Sequence, residues 1–159
     1  MKTLRRIDVV DFLPRTILTS IFVSLTLLIA PMTSAQTFDE IRSAAQQGDM
    51  AAQHNLGLIY DTGRGVPEND AEAVKWYKLA AQQGYMGAQY NLGLMYANGE
   101  GVPKNFVKAY SWNSIASAQG YAPADALKSL LKEAMSPEQM AEAQSLSSRC
   151  FASDYELCD

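Results

Sequence analysis

The sequence is poor in the side chains that build metal centres and nucleophilic active sites. Its 159 residues include one histidine, His54, and two cysteines, Cys150 and Cys158. One histidine excludes a histidine-rich metal centre, and no Gly-x-Ser-x-Gly motif accompanies the serines and carboxylates that a hydrolytic triad would use. Two glycine-containing segments, 63–65 and 99–101, lack the Lys-Ser/Thr pair of a phosphate-binding loop. We therefore expect no catalytic residue, no bound metal and no cofactor.

Basic residues are scarce outside the N-terminal segment. Of the 13 Lys and Arg residues and the 17 Asp and Glu residues, four basic and two acidic residues lie within 1–35, so residues 36–159 contain nine and 15. The resulting net charge of −6 repels phosphate groups, and no cluster of Lys or Arg offsets it. Binding to nucleic acid or to anionic lipid is therefore not expected.

The chain also lacks an apolar run long enough to cross a bilayer, which takes about 20 helical residues. Residues 17–30 form a mostly apolar run that follows four basic residues and precedes Pro31 and the small residues up to Ala35. This is the order of a secretory signal peptide. We expect cleavage after Ala35 and export to the periplasm or the medium, without membrane insertion afterwards. An uncleaved signal anchor is the alternative. A lipoprotein is not indicated, because the residue after Ala35 is not a cysteine.

Both cysteines lie within the last ten residues of the chain. In an oxidising compartment, two cysteines this close in a chain with no others are expected to form a disulfide. A bridge between Cys150 and Cys158 would attach the C-terminal tail, residues 151–159, to the helix before it. A metal site is the alternative, but two cysteines without a nearby histidine supply half of a zinc ligand set.

The sequence contains a repeat with a period of 36 residues. Residues 44–79 and 80–115 are identical at 20 of 36 positions. The shared blocks include Ala-Ala-Gln-Gln-Gly, Asn-Leu-Gly-Leu and Gly-x-Gly-Val-Pro. A period in this range is typical of stacked supersecondary units.

Each unit has the pattern of two helices. Apolar residues recur at helical spacing in Ala52, Leu56 and Tyr60, and helical spacing returns in the second half of the unit. The Gly-x-Gly-Val-Pro segment between the two halves contains residues that end helices and form turns. Gly57 and Gly93 lie inside the first helices, where glycine costs about 0.5–1 kcal/mol relative to alanine. We therefore expect a close helix contact at each of them.

Several helix ends are also marked in the sequence. Asn69, with a glutamate three residues later, has the pattern of an N-cap, and Gly84 and Gly120 follow the second helices, where a left-handed C-cap is expected. Ser136 followed by proline, with Gln139 three residues on, predicts the start of a last helix with a capping box. Helices are thus predicted over 123–135 and from 137 to about 149.

The repeat resembles the Sel-1-like family, which is related to tetratricopeptide repeats. The resemblance rests on Leu-Gly-x-x-Tyr in the first helix, the glycine-rich turn, and Trp-Tyr-x-x-Ala-Ala-x-x-Gly in the second helix, and it covers residues 44–120. The second copy departs from it at Asn113, where the first copy has Tyr77. The expected fold is an all-α, α/α solenoid of two repeats, with an N-terminal capping helix in 36–48 and a C-terminal capping helix pair in 121–150.

In such families the first helices of the repeats line a concave groove that binds other proteins. The resemblance therefore implies a partner-binding surface on these helices, and positions that differ between the two copies are the most informative candidates. Those that differ are His54, Asp61, Tyr90 and Asn98. His54, Leu58 and Asp61 are spaced to share one face of the first helix, away from the face that packs, and Leu94 is the counterpart of Leu58. Asn55 and Asn91 are candidates because related repeats often have an asparagine there that contacts peptide backbone. For the two asparagines at 55 and 91 a structural hydrogen bond is an equal alternative, and His54 has the alternative of an ordinary surface histidine.

The resemblance implies a non-enzymatic adaptor of the cell envelope or the medium, acting as a monomer or within a larger complex. A structural spacer within an envelope complex is an alternative. Cysteine-rich relatives have been linked to β-lactam recognition, but they carry a cysteine pair within each repeat. Residues 44–120 contain no cysteine, so a β-lactam hydrolase is the weaker alternative.

Overall fold

The computed structural model describes residues 37–156 and residue 158. Within these residues the fold has seven α-helices and no β-strand. The predicted all-α solenoid is confirmed, whereas the predicted signal peptide and its cleavage after Ala35 lie outside the described residues. The helices are α1 (Phe38–Gln46), α2 (Met50–Thr62), α3 (Asp70–Gln82), α4 (Met86–Asn98), α5 (Phe106–Ala118), α6 (Ala122–Ala134) and α7 (Pro137–Ala152).

The repeats are two helix hairpins that stack in chain order. Helices α2 and α3 form the first, α4 and α5 form the second, and each helix from α1 to α5 packs on the next. Left-handed glycines end the first helices, with φ of 63° at Gly63 and 80° at Gly99. The side chain of Asn69 accepts a hydrogen bond from the backbone at the start of α3, as its N-cap pattern predicts. Because α1 ends in the same Ala-Ala-Gln-Gln-Gly block as α3, it has the position of a second helix before the first repeat.

Hydrogen bonds between glutamines recur with the period of the sequence. The Gln53 amide donates to a carbonyl oxygen at the end of the preceding helix at 3.1 Å, and Gln89 does the same at 3.2 Å. Gln83 donates to the Gln53 side-chain oxygen at 2.7 Å, and Gln119 donates to that of Gln89 at 2.7 Å. Gln53 and Gln89 are buried, so these bonds satisfy polar groups that would otherwise destabilise the stack.

The glycines inside the first helices lie where the two helices of a hairpin approach most closely. A Cβ atom added to Gly57 would lie 2.6 Å from the ring of Tyr77 on α3. One added to Gly93 would meet the Asn113 amide and would lie 3.1 Å from the carbonyl oxygen of Ala109 on α5. The predicted close contacts are confirmed, and in both repeats the residue that fills the space left by glycine is buried.

The C-terminal helices form where the sequence predicts them, and both pack on α5. They barely touch each other, unlike the paired helices of a repeat. The capping box at Ser136 and Gln139 is present, and α7 continues to Ala152, past the expected end near residue 149. The hydroxyl of Ser111 on α5 donates to the carbonyl oxygen of Ala143 on α7 at 2.9 Å, in a buried contact.

The tail returns to the core after α7. The predicted Cys150–Cys158 bridge is present, and both cysteines are buried in the main apolar cluster. Between them, Tyr155 lies over Gly84, because a Cβ on that glycine would be 3.1 Å from the Tyr155 ring. Among residues 37–156, no helix is both long and apolar enough to span a bilayer.

Candidate functional site

Two pairs of rings mark the surface made by the first helices. The His54 ring on α2 lies 4.8 Å from the ring of Tyr85, which precedes α4. One repeat later, the Tyr90 ring on α4 lies 5.4 Å from the ring of Tyr121, which precedes α6. These residues occupy equivalent positions, 36 apart, so each repeat contributes one ring pair.

A cavity of about 460 Å³ is lined by both rings of the first pair and by Tyr121 of the second. It lies where α2 and α4 begin, and none of its residues is charged. We call it the first-helix pocket. It is lined by Met50, His54, Gln83, Gly84, Tyr85, Met86, Gly87 and Tyr121.

Two methionines give the first-helix pocket an adaptable apolar lining. Met50 is 44% exposed and Met86 is 40% exposed, although both have large apolar side chains. Methionine is flexible and polarisable, and aromatic residues provide much of the binding energy in protein interfaces. The pocket therefore combines the side-chain types that favour contact with an apolar group of another molecule.

His54 connects the pocket to the next repeat. Its Nε2 atom lies 3.2 Å from the side-chain nitrogen of Asn91, a geometry in which neutral imidazole accepts from the amide. Burial lowers the pKa of His54, and the nearby Asn55 side chain offsets part of that lowering. The buried Nδ1 atom has no hydrogen-bond partner within the residues that the structure describes. The histidine is therefore held neutral at the edge of the pocket.

A buried tyrosine of α3, Tyr77, contacts Asp61 near the C-terminal end of α2. The Tyr77 hydroxyl donates to Asp61 Oδ2 at 2.9 Å. Burial raises the pKa of Tyr77 well above its ordinary value, and the hydrogen bond and charge of Asp61 raise it further. Tyr77 remains a neutral donor, and Asp61 is engaged in the scaffold.

The structure places the eight candidate residues in different environments. His54 lines the first-helix pocket and Tyr90 forms the neighbouring ring pair. Asn91 bonds to His54, which supports the structural alternative for this asparagine, and Asn55 is exposed. Leu94 is half-buried. The face of α2 that carries His54, Leu58 and Asp61 was predicted to lie away from helix packing, but the next repeat covers part of it through Asn91.

Three of the candidates are engaged within the fold. Leu58 packs against the main core, and Asp61 accepts the hydrogen bond from Tyr77. Asn98 donates to Glu100 at 3.1 Å. Their side chains stabilise the repeat and its turn, so they are weaker candidates for contact with a partner than His54 and Tyr90.

Sequence reasoning missed most of the pocket. Met50, Tyr85, Met86 and Tyr121 were not among the candidates, because two of them begin helices and two lie in the turns before helices. The periodicity carried a signal that could have found them. Met50 and Met86 are identical between copies without belonging to the buried core, which is unusual for an apolar residue with only a packing role.

The described residues offer binding chemistry and no evident metal-binding chemistry. No group of three or more His, Cys, Asp or Glu side chains in residues 37–156 and 158 is arranged to hold a metal ion. The pocket presents rings, thioethers, a neutral imidazole and backbone at two glycines. Such a surface offers apolar contacts and neutral hydrogen bonds.

Comparisons with known proteins identify the repeat. A family model described as the Sel1 repeat matches residues 51–85 and 87–121. A Sel1 repeat protein from Oxalobacter formigenes is 40% identical, with a TM-score of 0.56 over 59% of this chain and 74% of that one. The chain belongs to the Sel1 repeat family. The family repeats begin at 51 and 87, and the identical segments in the sequence begin at 44 and 80, so both have the same period of 36 residues.

A second Sel1-like structure is longer than this chain. It is a protective antigen present in uropathogenic Escherichia coli strains that displays an SLR fold, and it is 30% identical with a TM-score of 0.70. The match covers 74% of this chain and 26% of the antigen, so the chain spans about a quarter of that protein. No curated protein matches the chain. Sel1 repeats generally mediate protein–protein interaction, and their fold is typically a non-catalytic scaffold.

Proposed function

We propose that this Sel1 repeat chain is a non-catalytic adaptor that binds a partner protein in the first-helix pocket. The observation that carries the proposal is the pocket itself, where two exposed methionines, the His54–Tyr85 ring pair and Tyr121, the ring on which Tyr90 packs, lie around an uncharged cavity. Burying exposed methionine and aromatic side chains releases about 25 cal/mol per Å² of apolar area, so a partner that covers them gains affinity.

Tyr90 and His54 are the residues that we propose to contact the partner. Each is half-buried, so its ring is held in place by the scaffold while one side remains accessible. Rings that are already ordered lose little conformational entropy on binding. Leu94 and Asn55 extend the same helix faces and form the edge of the proposed surface.

The adaptor role can be tested by affinity capture with a matched pair of variants. The test variant is His54→Ala/Tyr90→Ala, and the control is Phe151→Ala, which removes an exposed aromatic ring on α7, outside the pocket. We expect the unmodified protein and the control to retain the same partner and the double variant to lose it. Equal capture by all three proteins would contradict the assignment of the pocket, and circular dichroism checks that each variant is folded.

We also propose that the chain is exported and works in an oxidising compartment. The signal-like order of residues 1–35 and the buried Cys150–Cys158 disulfide support this location. Mass spectrometry of the protein from fractionated cells tests it. We expect a mature N-terminus at Gln36 in the exported fraction, whereas an intact N-terminal segment in the membrane fraction would support the signal anchor.

A further inference from the structure

The C-terminal tail contacts one wall of the first-helix pocket. The turn that contains Gly84 lines the pocket, together with Tyr85, whose ring pairs with that of His54. A Cβ atom on Gly84 would lie 3.1 Å from the Tyr155 ring, so this ring lies against the turn. Tyr155 is half-buried and packs on the main core, and it does not line the pocket itself. The tail can therefore act on the pocket through the turn, without touching a bound molecule.

This contact occurs at one of three equivalent turns. Gly48, Gly84 and Gly120 lie 36 residues apart, and all three have a positive φ. Apart from its chain neighbours, a Cβ atom on Gly48 or on Gly120 would have no described residue within 4 Å. The repeat itself does not require a covered turn. The contact at Gly84 is therefore a property of the tail and not of the solenoid.

The backbone of the tail has a conformation that non-glycine residues rarely adopt. Asp154 has a φ of 53° and Tyr155 a φ of 70°, and they are the non-glycine residues with positive φ in 37–156 and 158. A side chain makes this left-handed region unfavourable, most strongly when the side chain is bulky. Such residues persist where the surrounding structure constrains them, and they are frequent at clamps and switch regions.

The disulfide and the backbone provide this constraint. The amide of Tyr155 donates a hydrogen bond to the carbonyl oxygen of Cys150 at 2.9 Å. Beyond Tyr155, the bridge from Cys158 returns the chain to Cys150, and both cysteines are buried in the main apolar cluster. Tyr155 thus lies in a short closed loop that is anchored at both ends. Without the bridge, the unfavourable backbone conformation would favour detachment of the tail.

We propose, resting on the proposed function, that Tyr155 is a positioning residue for the first-helix pocket and that the Cys150–Cys158 disulfide controls it. With the bridge formed, Tyr155 holds the turn at Gly84 and so keeps the ring of Tyr85 in place for a partner. With the bridge reduced, the tail leaves the turn and the pocket loses this support. The adaptor therefore binds its partner more tightly in an oxidising compartment than in a reducing one.

Opening the bridge requires a dithiol reductant. One thiolate of the reductant attacks a sulfur of the bridge, and its second thiol then displaces the protein from the mixed disulfide. Two electrons and two protons pass to Cys150 and Cys158, which become thiols, while the reductant becomes a disulfide. Because the two cysteines are only 1% and 2% exposed, the tail has to lift before the attack. We therefore expect slow reduction, so that the compartment sets the state of the tail.

Methyl nuclear magnetic resonance of the methionines tests the proposal on the purified full chain, with no partner present. Met50 and Met86 line the pocket, so ring-current shifts of their methyl resonances report movement of the surrounding rings. Met95 in the core and Met140 in the first turn of α7 are internal controls. The samples are the oxidised protein, the protein reduced with dithiothreitol, and the oxidised variants Tyr155→Ala and Tyr155→Phe.

We expect reduction and Tyr155→Ala to shift the methyl resonances of Met50 and Met86 in the same direction and to leave those of Met95 and Met140 in place. Tyr155→Phe keeps the ring and should match the unmodified protein. Pocket resonances that stay unmoved in Tyr155→Ala would overturn the proposal, and shifts of all four methyl groups would do so too. If reduction unfolds the protein, judged by circular dichroism, the oxidised Tyr155→Ala protein decides.

Affinity capture with the same samples measures the effect on binding. We expect the partner to bind the reduced protein and Tyr155→Ala roughly tenfold more weakly, because the turn then has to be ordered on binding. Phe151→Ala removes a ring that meets the Tyr155 ring edge-on at 6.2 Å between centroids. It leaves the bridge intact and should retain both the methyl resonances and the partner.

The two readouts distinguish failure of this inference from failure of the proposed function. Equal affinity of the oxidised protein and Tyr155→Ala would overturn control by the tail, while the adaptor role would stand if capture depends on His54 and Tyr90. Capture that is independent of His54 and Tyr90 would contradict the adaptor role. The methyl resonances would still show whether Tyr155 positions the pocket, since they are measured without a partner.

Discussion

The two repeats have helices of equal length but differ on the outer face of their second helices. In the first repeat, α3 presents long or polar side chains, and Leu79 is 39% exposed. In the second repeat, α5 has short or apolar residues at the equivalent positions, and α7 packs on them. The pairs are Lys75/Ser111, Lys78/Ser114, Leu79/Ile115 and Gln82/Ala118. Departures from the repeat therefore mark the place where a non-repeated helix docks.

The repeats also differ at the closest contact between their helices. Tyr77 fills the space beside Gly57 and bonds to Asp61, whereas the shorter Asn113 fills the space beside Gly93 and bonds to the carbonyl oxygen of its own helix. The glycine is common to both repeats because its partner side chain is buried in both. The side chain that packs on the glycine can vary if it fills the space and its polar atoms are hydrogen-bonded.

The largest expected effect compares the two tryptophans. Trp112 is completely buried, whereas its equivalent Trp76 is half-buried in the smaller cluster near α1. We expect Trp112→Ala to lower the free energy of unfolding by about 3–5 kcal/mol, because it leaves a large cavity. Trp76→Ala should cost less than half of that. Urea denaturation of both variants measures the difference, and equal losses would contradict the asymmetry.

Placing the residue of the outer face of α3 at the equivalent position of α5 should disrupt the packing of α7 on α5. Ser111→Lys gives α5 the residue of α3, and we expect a loss of about 2–4 kcal/mol because a long cation replaces a buried hydroxyl. The converse change, Lys75→Ser, lies on an exposed face and should alter stability by less than about 0.5 kcal/mol. Amide exchange should show loss of protection in α7 for Ser111→Lys alone. Protection that stays unchanged would show that α7 does not depend on this contact.

The close approach at Gly57 should reverse the usual preference of helices for alanine. Gly57→Ala improves helix propensity, but the new methyl group meets the Tyr77 ring, and we expect a net loss of about 1–3 kcal/mol. Ala51→Gly, at an exposed position in the same helix, should cost about 1 kcal/mol through propensity alone. Thermal denaturation compares the two, and a stabilised Gly57→Ala protein would exclude the tight contact.

The smallest expected effect is the pH dependence of stability that His54 gives to the first repeat. Burial lowers the folded-state pKa of His54 below its ordinary 6.5, so the unfolded chain binds the proton more readily. Stability from the neutral histidine is fully present above pH 6.5 and is lost as the pH falls toward the folded-state pKa. We expect His54→Tyr, which copies the second repeat, to reduce the loss of stability between pH 7.5 and pH 5. Identical pH profiles for the two proteins would exclude His54 as a contributor.

Much of the fold can be predicted from the 36-residue period of the sequence. The turns at Gly63 and Gly99, the glutamine-containing helix ends and the close contacts at Gly57 and Gly93 recur every 36 residues, so local chemistry predicts them. The packing of α7 on α5 was not predicted, because it depends on contacts that occur once. The change from Lys75 to the smaller Ser111 at the equivalent position is the sequence signal for the face of α5 on which α7 packs.

The candidate site was only partly predictable for a related reason. Helical spacing placed His54, Leu58 and Asp61 on one face, but it carries no information on how the next repeat covers that face. Asp61 is engaged by Tyr77, 16 residues later, and Leu58 packs on the core. His54 remains at the pocket because Gly87, on the neighbouring helix, leaves space beside it.

The most direct test of the central claim is site-specific photo-cross-linking in the cells that produce the protein. A photo-reactive phenylalanine analogue replaces Met86 in the first-helix pocket or Phe151 on α7, two exposed apolar residues. The adaptor model predicts a cross-linked partner from position 86 and none from position 151. A partner cross-linked from position 151 alone would contradict it, because binding would then occur on α7 and not on the first helices of the repeats.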